Sequence, residues 1–276
     1  MEIWQAVFLG LVQGLTEFLP VSSSGHIAFY NAIFSSTTGS EIDVMFFTVI
    51  LHLGTLVAVC VVFWKDIIAL FKKPFKTLGL LVLASVPAAV VGVIIEACGL
   101  DDILLARNCV GIVLSVLFLV TAALLFVTEF VAKRRESVLP LCIKTALPMG
   151  FAQAVAVLPG ISRSGSTICA GTLAGCNRED VAKFSFLMSI PIILGGFFVE
   201  LALGLYKGEI QQNFTDYGAT LGWCVALGFI ISAVAGLFAI KVMLKAIKKA
   251  NYKWFSLYLV LMSITSLVLQ FTVFNA

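Results

Sequence analysis

Two short polar motifs interrupt an otherwise apolar chain. The first runs from Gln13 to His26 and reads QGLTEFLPVSSSGH, and the second runs from Pro159 to Thr167 and reads PGISRSGST. The first motif contains a carboxylate, three adjacent hydroxyls and an imidazole, which are groups that supply nucleophiles and general acids or bases. The second places an arginine among serines and glycines, a pattern that favours binding of phosphate or another anion.

The first motif predicts a helix that ends near a proline. Gln13 and Glu17 are four residues apart, so they share one face of that helix. Pro20 disfavours helix at the preceding residue and ends the element. The serines and the glycine of 22–25 are then expected to form a turn, with a short helix from His26 onward.

The second motif predicts a turn that opens a helix. Gly160 and Gly165 permit tight backbone turns, and Ser166 is the expected start of the helix. A helix that begins this way presents free N–H groups and the positive end of its dipole. Arg163 adds a planar fork of donors. We predict an anion cradle formed by Ser162, Arg163, Ser164, Gly165 and Thr167.

The composition predicts an integral membrane protein. Hydrophobic residues make up 61% of the 276 residues, charged residues make up only 12%, and the mean hydropathy is +1.08. Soluble domains carry about 25% charged residues. The net charge of +3 is too small to indicate a nucleic-acid partner. We expect 1–276 to form a single membrane domain.

Six apolar stretches are long enough to cross a bilayer, which takes about 20 residues. They are 43–64, 77–98, 108–132, 181–206, 219–240 and 254–274. Two more apolar regions, 3–34 and 140–176, contain the polar motifs at their centres. Intramembrane ionisable residues are costly and usually mark function, so Glu17, His26 and Arg163 are candidate site residues.

The distribution of Lys and Arg predicts the topology. These residues are concentrated in the connections 65–76, 133–144 and 241–253, whereas 99–107 and 207–218 are poor in them. The positive-inside rule places the first three connections in the cytoplasm and the other two outside. Region 140–176 must then begin and end on one side of the membrane, so it is re-entrant. The stretch 43–64 ends at the basic connection 65–76, so it begins outside. We expect 3–34 to be re-entrant as well, which would place both termini outside.

The two halves of the chain are predicted to form an inverted-topology repeat. Repeat 1 covers about 1–135 and repeat 2 about 140–276, each with one re-entrant broken segment followed by three crossings. Gln13 recurs as Gln153, and the 22–25 turn recurs at 162–165, all at an offset of 140 residues. Equivalent broken segments of such repeats meet near the bilayer midplane. We therefore expect Arg163 to lie beside Glu17 and Ser23.

Other polar residues carry weaker predictions. His52 either lines the site or is a hydrogen-bonded packing histidine. Glu129 lies near the end of a span, where a solvated position is expected. The cluster Arg178-Glu179-Asp180 is most simply a turn before the next helix.

The motifs resemble those of the undecaprenyl-pyrophosphate phosphatase family, also known as bacitracin-resistance proteins. The family's (Glu/Gln)-x-x-x-Glu pattern appears as Gln13 to Glu17, its Pro-Val-Ser-Ser-x-Gly-His pattern as Pro20 to His26, and its Pro-Gly-x-Ser-Arg-Ser pattern as Pro159 to Ser164. Thr167 follows as in the family. Many relatives have Glu where this chain has Gln13, so Gln13 and Gln153 are expected to support the site.

The resemblance implies a substrate and a setting. The family hydrolyses undecaprenyl diphosphate to undecaprenyl phosphate, which recycles the lipid carrier for cell-wall synthesis and confers bacitracin resistance. It also implies a bacterial plasma membrane, a site that opens to the extracytoplasmic side, and a divalent cation, Mg²⁺ or Ca²⁺, with Glu17 as the candidate ligand. Small lipid-facing residues would permit a homodimer.

Several chemical roles are expected from these residues. Ser23 is the first choice as nucleophile, and Glu17 or His26 would accept its proton. Arg163, together with Ser22 and the cradle, would hold the pyrophosphate and stabilise developing charge. Attack by His26, or by a water activated by Glu17, remains open.

Two other functions fit parts of the sequence. Inverted repeats with broken helices are a transporter architecture, so a flippase for a polyprenyl-phosphate lipid is the main alternative. A channel would need polar residues along several helices, whereas here they gather at one level of the membrane. Release of inorganic phosphate separates an enzyme from a transporter.

Overall fold

A computed structural model describes residues 2–38, 44–132, 139–207, 209–249 and 252–274. Within these ranges the chain is helical apart from short turns, and the extended pairing recorded there is an isolated bridge between Leu139 and Cys176. The predicted basic cluster at 133–135 lies outside the described residues.

The described part contains twelve α-helices and one terminal π-helical turn. Their bounds are α1 Ile3–Thr16, α2 Ser23–Thr38, α3 Val44–Val62, α4 Trp64–Leu70, α5 Lys76–Ala97, α6 Leu100–Leu104, α7 Val110–Ala132, α8 Ile143–Val155, α9 Arg163–Leu173, α10 Arg178–Lys207, α11 Glu209–Lys249, α12 Lys253–Leu269 and the π turn Gln270–Phe274.

The long helices confirm an all-α membrane protein. Among the described residues, five helices are long and apolar enough to cross a bilayer, namely α5, α7, α10, α11 and α12. A sixth crossing is present if α3 and α4 count as one span, which bends by 81° between them. Each of the six predicted stretches therefore coincides with one of these helices.

Both polar motifs lie at a break between two helices, as predicted. The helices after the breaks begin three residues earlier than predicted, α2 at Ser23 and α9 at Arg163, because the side chains of Ser22 and Ser162 cap them. Helix α1 has 14 residues and α8 has 13. At 1.5 Å per residue each is about 20 Å long, well short of the roughly 30 Å hydrocarbon layer. Helix α1 packs against α2, and α8 packs against α9. The chain thus breaks at the level where the polar residues lie.

The two halves pack on each other through equivalent helices. Helix α1 packs on α11 and α8 packs on α5, while α3 contacts α10 and α7 contacts α12. A Cβ atom at Gly10 would lie 2.8 Å from the Gly228 carbonyl oxygen, and one at Gly150 would lie 2.6 Å from that of Ala84. Small residues permit such close helix approach in membranes. Each of these helix contacts made from the first half is matched by a contact of the equivalent helix of the second half. This pattern fits two repeats, and their boundaries near 135 and 140 stay a prediction.

Helix α7 illustrates how the apolar surface is divided. Its buried side includes Leu114, Phe118, Ala122 and Leu125, and its exposed side includes Val116, Leu119, Val120 and Val127. Apolar side chains on both sides are expected for a helix whose outer face contacts lipid. Phe118 reaches the first polar motif, so α7 also forms one wall of the site.

The crossings continue beyond the bounds that hydropathy predicts. Helix α11 runs from Glu209 to Lys249, so 209–218 and 241–249 are helical where connections were predicted. Helix α10 begins at Arg178, and the predicted turn at 178–180 is its first turn. Glu179 and Asp180 are favourable there because carboxylates interact well with the positive end of the helix dipole. A helix satisfies its own backbone polar groups, which favours its continuation through the membrane interface.

Glu129 is not solvated, contrary to the prediction. It is 1% exposed, and its carboxylate lies 3.6 Å from a guanidinium nitrogen of Arg178. That guanidinium also lies over the ring of Tyr252, 5.2 Å from the ring centroid. A buried carboxylate is costly without a partner, and Arg178 of α10 supplies one to Glu129 of α7. A pattern of hydropathy along one helix does not reveal such a partner.

Candidate active site

Ser22 and Ser162 build the two turns in the same way. Ser22 precedes α2, and its Oγ accepts a hydrogen bond from the amide of Gly25 at 3.2 Å. Ser162 precedes α9, and its Oγ accepts one from the amide of Gly165 at 3.0 Å. Side-chain oxygens of this kind cap helix N-termini. Both serines were predicted to bind pyrophosphate, and the structure uses their oxygens to hold the turns.

The turn before α2 and the turn before α9 pack directly against each other at their glycines. A Cβ atom at Gly25 would lie 2.9 Å from Cα of Gly160, and one at Gly165 would lie 3.2 Å from Cβ of Pro20. Gly160 has a φ of +107°, which favours glycine. The hydroxyl of Ser164 donates to the carbonyl oxygen of Leu19 at 3.0 Å, which joins the second turn to the first.

A side chain at position 25 is expected to destabilise the fold. In Gly25→Ala the new methyl would lie 2.6 Å from the Phe118 ring and would press against Gly160. Overpacking of this kind costs about 1–3 kcal/mol, which lowers the thermal unfolding temperature by several degrees. Gly79→Ala is the matched control, since a Cβ there meets nothing within 4 Å. Thermal unfolding of both variants in detergent tests this, and equal unfolding temperatures would contradict the close packing.

Arg163 lies beside Glu17, as the repeat predicts. Nη2 of Arg163, the first residue of α9, donates to Oε1 of Glu17 just after the end of α1. Glu17 is 6% exposed. Nη1 of Arg163 is buried and has no hydrogen-bond partner among the described residues. One arm of the guanidinium is therefore used by the carboxylate, and the other is available to an anion.

The second carboxylate oxygen of Glu17 accepts from two neighbours on its own half. The hydroxyl of Ser23 donates to Oε2 at 2.6 Å, and Nε2 of Gln13 donates to the same oxygen at 2.9 Å. The predicted four-residue pair of Gln13 and Glu17 is thus present on one helix face. Ser23 and Glu17 have the geometry of a nucleophile and its general base.

His52 stands at the edge of this group. Its Nε2 lies 3.5 Å from Oε2 of Glu17, and its Nδ1 lies 2.8 Å from the carbonyl oxygen of Thr48. Its side chain is 24% exposed. Of the two interpretations that the sequence left open, the structure favours the one in which His52 lines the site.

The hydrogen bonds of the His26 ring do not involve Ser23 or Glu17. Its Nδ1 lies 2.7 Å from the carbonyl oxygen of Ser22, and its Nε2 lies 2.6 Å from the hydroxyl of Tyr258. Both ring nitrogens are therefore engaged elsewhere. Of the two candidate proton acceptors for Ser23, the geometry favours Glu17.

Thr167 and Gln153 lie in the second half without direct contact to Glu17. The hydroxyl of Thr167 is hydrogen bonded to that of Ser185 at 2.6 Å and braces α9 against α10. Gln153 is 1% exposed, and neither polar atom of its side chain has a partner among the described residues. In the first half the equivalent residue, Gln13, donates to Glu17. In the second half the position equivalent to Glu17 is Val157, so Gln153 has no equivalent carboxylate to contact.

The site offers one carboxylate to a metal ion. Among the described residues, no group of three or more His, Cys, Asp or Glu side chains could hold a metal. The side-chain oxygen of Gln13 is buried, lacks a hydrogen-bond partner in this part of the chain, and belongs to the amide that contacts Glu17. Mg²⁺ is commonly held by one or two carboxylates together with substrate phosphates. The residues present fit that mode of binding.

Tyr258, Ser185 and Thr121 contact the motifs although the sequence did not indicate them. The hydroxyl of Thr121 accepts from the amide of Ser162 at 3.2 Å. Tyr258 is 232 residues from His26 along the chain. Each lies inside an apolar crossing without a local pattern around it, so only the packing of helices reveals these contacts.

Known proteins resemble this chain along its full length. A family model described as bacitracin resistance protein BacA matches residues 6–265. An undecaprenyl-diphosphatase of Carboxydothermus hydrogenoformans is 40% identical over 271 residues, and one of Halothermothrix orenii is 37% identical over 272 residues; each alignment covers 98% of both chains. An undecaprenyl-diphosphatase of Bacteroides fragilis is 35% identical over 98% of this chain and 99% of its own. This chain therefore belongs to the bacitracin resistance protein BacA family.

Proposed function

We propose that this protein hydrolyses undecaprenyl diphosphate to undecaprenyl phosphate and inorganic phosphate. The relatives described above carry the name undecaprenyl-diphosphatase over nearly the whole chain. The observation that carries the proposal for this chain is the contact of Arg163 with Glu17, which in turn accepts from Ser23, inside an apolar protein. The reaction recycles the lipid carrier for cell-wall synthesis and confers bacitracin resistance.

Ser23 acts as the nucleophile in this proposal. Its Oγ forms a bond to the terminal phosphorus, and the bond between that phosphorus and the bridging oxygen breaks. Undecaprenyl phosphate leaves with the bridging oxygen, and the hydroxyl proton passes to Glu17, 2.6 Å away. Water then hydrolyses the phosphoserine to release phosphate. Attack by His26 would first require the hydrogen bond between its Nε2 and the Tyr258 hydroxyl to break.

The second motif binds the phosphate that is transferred. The unpaired Nη1 of Arg163 and the backbone amides of Arg163 and Ser164, at the start of α9, supply donors for its oxygens. Such preorganised donors stabilise the charge that develops in phosphoryl transfer. Ser162, Ser164, Gly165 and Thr167 contribute by holding the arginine and these amides in place.

A divalent cation, Mg²⁺ or Ca²⁺, belongs to the same proposal. Glu17 and the side-chain oxygen of Gln13 are the ligands that the site offers, and the substrate pyrophosphate would supply the others. When bound, the cation would neutralise part of the negative charge of the pyrophosphate.

Removal of the cation is expected to lower the rate of phosphate release to near background. Chelation with EDTA tests this, because the site offers too few protein ligands to retain the ion without substrate. Readdition of Mg²⁺ and of Ca²⁺ in separate reactions then identifies the ion. Full activity after exhaustive chelation would remove the cation from the proposal.

The proposed setting is the plasma membrane of a bacterium, with the site open to the extracytoplasmic side. The protein is a multi-pass membrane protein. Its Lys- and Arg-rich connections predict which end of each membrane-spanning helix faces the cytoplasm. A homodimer remains part of the proposal and is tested by the mass of the detergent-solubilised protein.

A lipid flippase is the second candidate function. Two broken segments that meet between packed halves are a transporter architecture. The discriminating experiment measures inorganic phosphate released from undecaprenyl diphosphate by the purified protein in detergent, where no second leaflet exists. Phosphate release establishes hydrolysis, whereas binding of the lipid without release favours transport.

A further inference from the structure

The unexplained contact at this site is the one between His26 and Tyr258. Nε2 of His26 lies 2.6 Å from the Tyr258 hydroxyl, and the two ring planes are parallel within 4°. The contact joins α2 to α12, at opposite ends of the chain. Within the described residues no hydrogen bond joins His26 or Tyr258 to Ser23 or Glu17, so the mechanism above gives the contact no role.

The opposite ring nitrogen decides the direction of this hydrogen bond. Nδ1 of His26 lies 2.7 Å from the carbonyl oxygen of Ser22. A carbonyl oxygen can only accept, so Nδ1 carries a hydrogen. A neutral imidazole then has a lone pair on Nε2, and the hydroxyl of Tyr258 donates to it.

The carbonyl of Ser22 lies at a constrained point of the backbone. Ser22 has a φ of +68°, in the left-handed region that serine seldom adopts. Its carbonyl oxygen accepts from both Nδ1 and the amide of His26, at 2.7 and 3.2 Å. The next residue is Ser23, whose hydroxyl donates to Glu17. Hydrogen bonds thus lead from Tyr258 to the peptide that presents the nucleophile.

We propose that Tyr258 is a positioning residue: its hydroxyl donates to Nε2 of His26, holds the imidazole neutral with its proton on Nδ1, and thereby fixes the turn that presents Ser23 to Glu17. This inference rests on the proposed hydrolysis for its kinetic part. Its structural part, the direction of one hydrogen bond, is independent of any activity.

The contact can be removed with little effect on packing. Helix α12 is held to α7 on both sides of Tyr258, since Ser256 donates to the Ala122 carbonyl and Ser263 is hydrogen bonded to Ser115, both at 2.8 Å. Tyr258→Phe removes only the hydroxyl. Tyr30→Phe is the matched control: Tyr30 lies on α2 within electrostatic reach of Tyr258, but the recorded partners of the His26 ring are Ser22 and Tyr258.

The spectroscopic test uses the small number of histidines. The chain has two, His26 and His52, so protein labelled with ¹⁵N-histidine gives signals from two imidazole rings, each with an Nδ1 and an Nε2 resonance. The variant His52→Gln assigns them. We expect His26 to be neutral, protonated at Nδ1 and hydrogen bonded at Nε2. In Tyr258→Phe the Nε2 resonance should move to the position of an unbonded nitrogen, while Tyr30→Phe leaves it in place.

The kinetic test measures phosphate release from undecaprenyl diphosphate. Tyr258→Phe is expected to lower kcat about tenfold to a hundredfold, as small misplacements of a reacting group do, with KM changed less than about twofold. Tyr30→Phe should retain the wild-type kcat. A general loss of stability would also lower the apparent kcat at constant KM, because it reduces the fraction of active protein. The unfolding temperature and the folded fraction of each variant are therefore measured, and kcat is calculated per folded protein.

Each part of the proposal has an outcome that overturns it. A wild-type spectrum with His26 protonated at Nε2, or an Nε2 signal unmoved in Tyr258→Phe, would disprove the hydrogen-bond direction. A moved signal with unchanged kcat would remove Tyr258 from the reaction. If wild-type protein releases no phosphate while the Nε2 signal behaves as expected, the proposed hydrolysis fails and the structural pairing stands.

Discussion

Ser23→Ala is expected to lower the turnover of undecaprenyl diphosphate by a factor on the order of 10³ or more, as removal of a nucleophile does. The hydroxyl of Ser23 is the group that donates to Glu17 at 2.6 Å, so its loss removes both the attacking oxygen and the proton that the carboxylate accepts. The measurement is release of inorganic phosphate by purified protein at saturating substrate.

The adjacent serine is the control for this variant. Ser24 lies in the same turn, and its Oγ is 3.5 Å from that of Ser22 without contact to Glu17. Ser24→Ala should therefore keep turnover near the wild-type value. Rapid quenching with labelled substrate should trap phosphate on position 23. Label on position 26, or near wild-type turnover of Ser23→Ala, would disprove the serine mechanism and favour His26 or an activated water.

Arg163→Lys is expected to lower kcat by about 10²–10³-fold, the loss seen when a charge-stabilising donor is removed. The guanidinium contacts Glu17 through Nη2 and keeps Nη1 for the phosphate. A lysine ammonium is a single point of charge and cannot hold two groups in the fixed geometry of a fork. The decrease should appear in kcat more than in KM, because the developing charge is greatest in the transition state.

Arg107→Lys provides the comparison for that substitution. Arg107 donates through Nε to the carbonyl oxygen of Phe274 at 3.0 Å, at the end of the chain and outside the site. It tests whether loss of an exposed guanidinium that is hydrogen bonded outside the site lowers the rate. Turnover of Arg163→Lys within about threefold of wild type would show that only the positive charge matters, contrary to the role assigned to the fork.

Local spacing was sufficient for part of the site. The four-residue interval between Gln13 and Glu17 places both on one helix face, and the structure contains their hydrogen bond. The offset of 140 residues between the motifs predicted the contact of Arg163 with Glu17, because symmetry-related segments of a repeat meet at their shared interface. These predictions depend on periodicity and internal similarity, which a sequence records directly.

The roles of the hydroxyls were less predictable. Ser22 and Ser162 were expected to bind pyrophosphate, and the structure uses their oxygens as helix caps. The hydroxyl of Thr167 bonds to Ser185 on α10. A hydroxyl can donate and accept, so a Ser-rich motif indicates polarity without indicating the partner. The partner depends on which helix lies nearby.

Hydropathy and charge along the chain were enough to establish that this is a membrane protein with six apolar stretches and two broken ones, because transfer into lipid depends on the composition of each segment. The partner of Glu129 and the partner of Nε2 of His26 were decided by tertiary structure alone. Arg178 and Tyr258 come from distant helices, and a hydrogen bond or ion pair is a property of the distance between two atoms. That distance is set only when the helices pack.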